Sequence, residues 1–346
     1  VIGQLLDAVK SGKYDKSKLA LIITQTGGGC RASNYIYLLR KALKKNGMEY
    51  IPVISFNLSS MERNPGFKMT PGLLVEFVYA VLYGDLLMLL SNQTRPYEIK
   101  HGDADELAEK WIVQLCKELS GRSILNNREF KRNLEQITSD FAAIPMEKTD
   151  KIKVGVVGEI YMKYSPLGNN NLEDFLQQEG AEVEVPGLMY FVIYCCDNNT
   201  TDNRLYGNKK LASIFTSLLT NYLIKMQNML INAVKTQDCF RAPASFKQIK
   251  SLVQAYIGTG TKMGEGWLLT AEMLELVHSG VENIVCTQPF GCLPNHISGK
   301  GMIRKIKEHH PNANIVAIDY DPGATRINQE NRIKLMLSTA RLNSIY

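Results

Sequence analysis

The sequence predicts an α/β fold in which parallel strands are joined by crossover helices. Two observations carry this. Short apolar runs recur along the chain, each followed by a Gly- or Pro-bearing loop and then an amphipathic helical stretch, the order that parallel strands with helical crossovers require. The 346 residues, 45% apolar and 21% charged, are also enough for two or three cores of ordinary size and composition.

In chain order the runs are Leu19–Ile23, Tyr50–Ile54, Lys153–Val157, Ala181–Val185, Asn283–Val285 and Asn314–Ile318. Between the second and third a long helical region is expected, from about Pro71 to Ala143, and the polar stretch Pro145–Lys151 then marks a domain boundary. The chain thus divides into an α/β domain over 1–150, holding the Cys30 loop and the helical segment, and a second over 151–346. The second holds a helical insertion at about 208–234 and the loop of Cys286 and Cys292. Polar residues interrupt the insertion, which suits packing helices rather than a membrane span, and no apolar run approaches eighteen residues.

The formal charge of +6 is spread over helical segments such as Arg40–Lys45 and Arg304–Lys307, without a basic block interleaved with aromatics. Neither nucleic acid nor a membrane is therefore expected as a partner. The excess suits an anionic small molecule or an acidic protein. The opening residues carry neither an initiator Met nor an export signal, so a cytoplasmic stretch of a longer protein is expected. Seven cysteines in that setting point to packing, metal binding or thiol chemistry rather than a disulfide framework. Cys116 and Cys239 are expected on core faces. The neighbours Cys195 and Cys196, after Val192-Ile193-Tyr194, should point to different faces with one in the core, and are secondary ligand candidates.

Ligands of open parallel sheets sit outside the carboxyl ends of the strands, which selects the loops that matter. The first is Thr24-Gln25-Thr26-Gly27-Gly28-Gly29-Cys30-Arg31. Three glycines admit close backbone approach, and the following helix start favours a phosphate, a thiolate or an anionic cluster. The glycine spacing is neither a phosphate loop ending in Gly-Lys-Ser/Thr nor a dinucleotide fingerprint, and a tight turn with a packed Cys30 is the plainer alternative. The second is Cys286 to His296, where two cysteines share one Pro- and Gly-bearing loop. Thiolates suit an iron-sulfur cluster, while the spacing is neither that of a zinc knuckle nor that of a thioredoxin-type pair. His296 is a candidate cofactor contact or a structural hydrogen-bonding residue. Glu159, after the Lys153 run, and Glu265, in Gly264-Glu265-Gly266-Trp267, are candidate proton acceptors or helix-entry carboxylates.

Four strings carry a family likeness: T-Q-T-G-G-G-C-R-A-S-N-Y from Thr24, G-E-I-Y-M-K-Y-S-P from Gly158, G-E-G-W-L-L-T-A-E-M from Gly264 and C-T-Q-P-F-G-C-L-P-N-H-I from Cys286. In this order they resemble the C-terminal, dehydratase-like region of the large acyl-CoA dehydratase activase-related proteins, relatives of the 2-hydroxyglutaryl-CoA dehydratase system. The likeness runs from about Leu19 to Leu337. It implies two Rossmann-like (flavodoxin-like) parallel-sheet domains with helical insertions. It also implies a 4Fe-4S cluster with Cys30, Cys286 and Cys292 as metal ligands, and electron transfer in one-electron acyl-CoA chemistry of anaerobic metabolism. Implied partners are ATPase/activase modules, in the same polypeptide or a partner chain, and acyl-CoA; a homodimer is a further expectation. The ATPase modules of the full-length pattern are absent from this sequence, as is a Cys-bearing region that precedes the Gly-rich loop. No ATP hydrolysis is expected here, any enzymatic role would be that of a 2-hydroxyacyl-CoA dehydratase-type lyase, and the cluster's ligand set would be incomplete. The rival expectations are an acyl-CoA or nucleotide-binding module, and a docking domain, each with structural cysteines and no cluster.

Overall fold

The computed structural model describes the chain except for residues 26–29, 57–61, 63, 65, 68–69, 122–125, 208–209, 322 and 344–346, and describes no side chains at 121 and 210–212. It is mixed α/β with parallel sheets. The chain packs as two compact units, one of Val1–Thr70 with Cys292–Pro294, the other of Pro71–Gly291 with Asn295–Tyr346.

The first unit opens with α1 (Ile2–Lys10), then β1 (Leu21–Thr24), a short 3-10 turn (Arg31–Asn34), α2 (Tyr35–Lys45) and β2 (Val53–Phe56). β1 and β2 pair in parallel, Leu21 opposite Val53 and Thr24 opposite Phe56. The sheet buries Leu21 and Ile23 against the face of α2 that carries Ile36, Leu39 and Leu43, with Val9, Met48 and Ile51 completing the core. The spacing of those three α2 residues is the three-to-four repeat that puts side chains on one helical face.

The second unit begins with α3 (Pro71–Thr94), α4 (Asp103–Gly121) and α5 (Asn127–Ala142). Then follow β3 (Lys153–Gly158), α6 (Ile160–Tyr164), α7 (Pro166–Asn169), α8 (Leu172–Gln178), β4 (Glu182–Glu184), α9 (Met189–Tyr206) and α10 (Lys210–Val234). The unit closes with α11 (Phe246–Val253), α12 (Trp267–His278), β5 (Asn283–Pro289), α13 (Ile303–His309), β6 (Asn314–Tyr320) and α14 (Arg326–Asn343). Its four strands are ordered β4-β3-β5-β6, all parallel. The chain moves outward from β3 to β4 and then returns to the far side of β3 as β5. The loops leaving β3 and β5 therefore part at the carboxyl edge, where such sheets bind ligands.

The helices α3 to α5, expected with the N-terminal domain, belong to this second unit. α3 is apolar around most of its circumference and is long enough to cross a membrane by length and composition alone. Its Val78, Tyr79, Leu82, Tyr83, Leu86 and Leu90 are buried in a core with α5, α9, α10 and α12, the usual place for a helix that is hydrophobic all round. A boundary at the polar stretch near 150 would strip that core. The opposite sheet face, with Val154, Val156, Val183, Val285 and Ile318, packs on α8 and α14 through Leu172, Leu176, Ile333 and Leu337.

Cys116 lies exposed on α4, contrary to the core position expected. The buried residues there are Trp111 and Leu115, and one further residue turns about 100° around a helix, away from the face they define. Cys195 and Cys196 lie on α9, with Cys196 buried in the core as expected of one of the two and Cys195 half-buried. Burial pushes the Cys195 thiol up to about 12 and Cys196 to about 11, so both are protonated at neutral pH in the metal-free protein.

Local signals fix the entries to the helices around the site. Ser245 caps α11 in a reciprocal box, Ser245 Oγ accepting the Gln248 N–H at 3.4 Å and Gln248 Oε1 accepting the Ser245 N–H at 2.8 Å. Ser245→Ala should lower stability by about 1 kcal/mol, read from the midpoint of urea unfolding at an unchanged slope.

Candidate functional site

The end of β1 is braced from inside the first unit. Buried Gln25 donates through Nε2 to Ser33 O at 2.9 Å and accepts at Oε1 from Ser55 Oγ at 2.7 Å, tying the 3-10 turn to both strand ends. Asn64 clamps the backbone of Ser55 in β2, its Oδ1 and Nδ2 meeting Ser55 N and O at 2.9 and 2.7 Å. Gly27, Gly28 and Gly29 lie outside the described residues. Cys30 is the extended residue before the turn, and its carbonyl accepts from Ser33 N and Oγ at 3.2 and 2.5 Å. Its side chain is half-buried and Arg31 is exposed. Cys292 is also half-buried and belongs to the same compact unit as Cys30.

Cys286 is placed differently. It lies inside β5, not in the loop beyond it, between Val157 of β3 and Ala317 of β6. It is 0% exposed, in the large apolar core. A Cβ added at Gly299 would come within 3.2 Å of its Sγ, so protein already packs closely about the sulfur. A cluster does not fit there, and Cys286 is read as a core residue. Among the described residues no three His, Cys, Asp or Glu side chains gather in a group able to hold a metal ion. Cys30 and Cys292, by contrast, are half-buried rather than enclosed in that core.

The carboxyl edge of the second unit's sheet does bring two predicted residues together. Glu159 follows β3 and caps α6, accepting the Met162 N–H at 3.0 Å. Glu265 accepts the neighbouring Ile160 N–H through Oε1 at 3.3 Å. Burial, and then the charge of Glu159, pushes Glu265 up to about 7. Burial also raises Glu159. The pair thus favours holding a proton near neutral pH.

Two glycines shape this corner. Gly158 has φ +137°, and a Cβ there would meet Thr287 O at 1.9 Å. Gly266 has φ +47°, with Thr261 O 2.3 Å from the equivalent point. Both are conformations L side chains rarely adopt, which accounts for glycine in the G-E-I-Y and G-E-G-W strings.

His296 lies beyond β5 in a wide turn, Asn295–Gly299, with Nδ1 3.4 Å from Gln288 Nε2. Gln288 is fully buried, donates to Asp319 Oδ1 at 2.5 Å, and has no hydrogen-bond partner for Oε1 among the described residues. Sequence reasoning passed over Gln288. Its signal was a second polar residue, after Thr287, between the apolar run Ile284-Val285-Cys286 and Pro289.

Sequence reasoning also missed Lys163 and Glu272, which are 3% exposed each and paired at 2.9 and 3.1 Å. They join α6 to α12, the helices that Glu159 and Glu265 lead into. Asp85, in the middle of α3, accepts the N–H groups of Leu188 and Met189 at 2.7 and 2.8 Å and so caps α9 from another helix. A cavity of about 40 Å³ beside Asp85, Glu184 and Glu275 has room for a few waters and none for an acyl chain.

No family model, curated protein or solved structure matches this chain.

Proposed function

We propose that this chain is the iron-sulfur module of a 2-hydroxyacyl-CoA dehydratase/activase-type system, with Cys30 and Cys292 supplying thiolates to a 4Fe-4S cluster. The observation that carries the reading is the membership of these two cysteines, distant in sequence, in one compact unit with both side chains half-buried. Both follow parallel strands at their carboxyl ends. The two α/β parts are read as Rossmann-like (flavodoxin-like), supported in the second by the β4-β3-β5-β6 order.

A 4Fe-4S cluster, when bound, passes one electron at a potential set by ligation, burial and hydrogen bonds. The chain's own contribution on this reading is positional. Gln25 and Ser33 hold the turn that carries Cys30, while Glu159 and Glu265 hold a proton at the edge of the second sheet. Cytoplasmic ATPase/activase modules would be the electron donor and acyl-CoA the substrate class.

Anaerobic reconstitution tests the ligand set. Cys30→Ser and Cys292→Ser should each lose most of the bound iron and the visible absorbance, because thiolate is the ligand such clusters select. Cys286→Ser should keep its iron and lose stability by about 1–3 kcal/mol, the usual cost of a polar group buried in a core. Full iron in both loop variants, or its loss only in Cys286→Ser, would overturn the assignment.

A further inference from the structure

β6 is an outer strand of the four-stranded sheet. Asn314 donates its N–H inward to Glu282 O at 2.8 Å. Backbone groups alternate in direction along a parallel strand, so those of Ile315, Ala317 and Asp319 face outward. The outward Asp319 O is taken by Gln329 Nε2 at 3.0 Å. Ile315 and Ala317, with Val316 between them, form the floor of an open trough of about 620 Å³.

The walls of the trough are strongly basic. Lys300, Arg304 and Lys307 stand on one side and Arg332 of α14 on the other, all exposed. Among the described residues of the lining the one carboxylate is Glu308, engaged with Arg304 at 3.0 Å. Four cations therefore face one anion over an apolar floor with an outward-facing strand edge.

We propose that this trough binds an extended acidic polypeptide segment, which adds to β6 as a further strand. Outward N–H and C=O groups two residues apart ask for acceptors and donors in alternation, and an extended backbone supplies them at the matching repeat. The cations select acidic side chains on the incoming strand and speed its approach. A second copy of the chain is disfavoured, since its own β6 edge carries the same four positive charges. A nucleic-acid strand would find no aromatic platform among the described residues of the lining on which to stack a base. Basic residues also protect sheet edges from aggregation; protection alone would leave the edge without affinity for any strand. This inference is independent of the cluster reading.

The test uses the full chain and fluorescence anisotropy with a labelled ten-residue peptide of alternating Glu and Val. Binding is expected, weakening as salt rises. It should fall by about tenfold or more when alternate peptide nitrogens are methylated, because the backbone hydrogen bonds are lost while the charges stay. The Arg304→Glu/Lys307→Glu variant should lose binding similarly, and amide exchange at Ile315 and Ala317 should slow in the complex. Equal affinity for the methylated peptide, tighter binding of an oligothymidine of the same length, or no binding of the acidic peptide would each overturn the proposal.

Discussion

Lys163→Met is expected to destabilise the second unit by about 3–5 kcal/mol, the usual cost of removing one partner from a buried ion pair. Lys163 Nζ bonds both oxygens of Glu272 at 2.9 and 3.1 Å, and each residue is only 3% exposed. Burial raises the carboxyl of Glu272, and Lys163 is what holds it down. The same ammonium favours the ionised form of buried Asp85, the cap of α9. Methionine fills a similar volume but leaves two carboxylates in an apolar core with their nearby cation gone. Adding Glu272→Leu should recover most of the loss, because replacing both partners with apolar groups avoids the orphaned charge. Urea unfolding at neutral pH measures all three proteins. A single variant within about 1 kcal/mol of the parent would mean that the pair is more solvated than its burial implies.

The contrast between that pair and the loops around it shows what the sequence could disclose. The Lys153 and Asn314 runs become β3 and β6 because Val, Ile and Ala in short bounded stretches leave little choice. The Asn283 run was cut short. Thr287 and Gln288 look like the start of a loop, yet the strand continues to Pro289 because their side chains bond sideways, Thr287 Oγ1 to Val157 O at 3.1 Å and Gln288 to Asp319. That extension turns Cys286 from a loop thiol into a core residue. Glu159 and Glu265 were legible singly, from their glycine neighbours, but their pairing depends on two segments far apart in sequence meeting at α6. Lys163 in Y-M-K-Y and Asp85 in Y-G-D-L gave a faint hint as charges set among apolar residues, whose partners only tertiary structure supplies.

The second large effect concerns pH, and it falls on Glu265. Its ordinary value of 4.5 is raised to about 7 in the folded protein, first by burial and then by the charge of Glu159. Between those two values the folded state holds a proton that the unfolded state has released. The stability tied to that proton is therefore fully present below about pH 4.5 and is lost as pH rises through about 7. A shift of this size corresponds to about 3 kcal/mol. Glu275, raised to about 7 by burial and then by Glu184, and Asp85, raised to about 6 by burial, add slopes of the same sign. The parent protein should thus grow less stable from about pH 5 to about pH 8. Glu265→Gln keeps an acceptor for the Ile160 N–H and removes the titration. It should match the parent near pH 5, exceed it by about 3 kcal/mol near pH 8, and flatten the profile by that amount. Parallel profiles for the two proteins would mean that Glu265 ionises as an ordinary carboxylate. The pair it forms with Glu159 would then be a double helix cap rather than a store for a proton at the edge of the sheet.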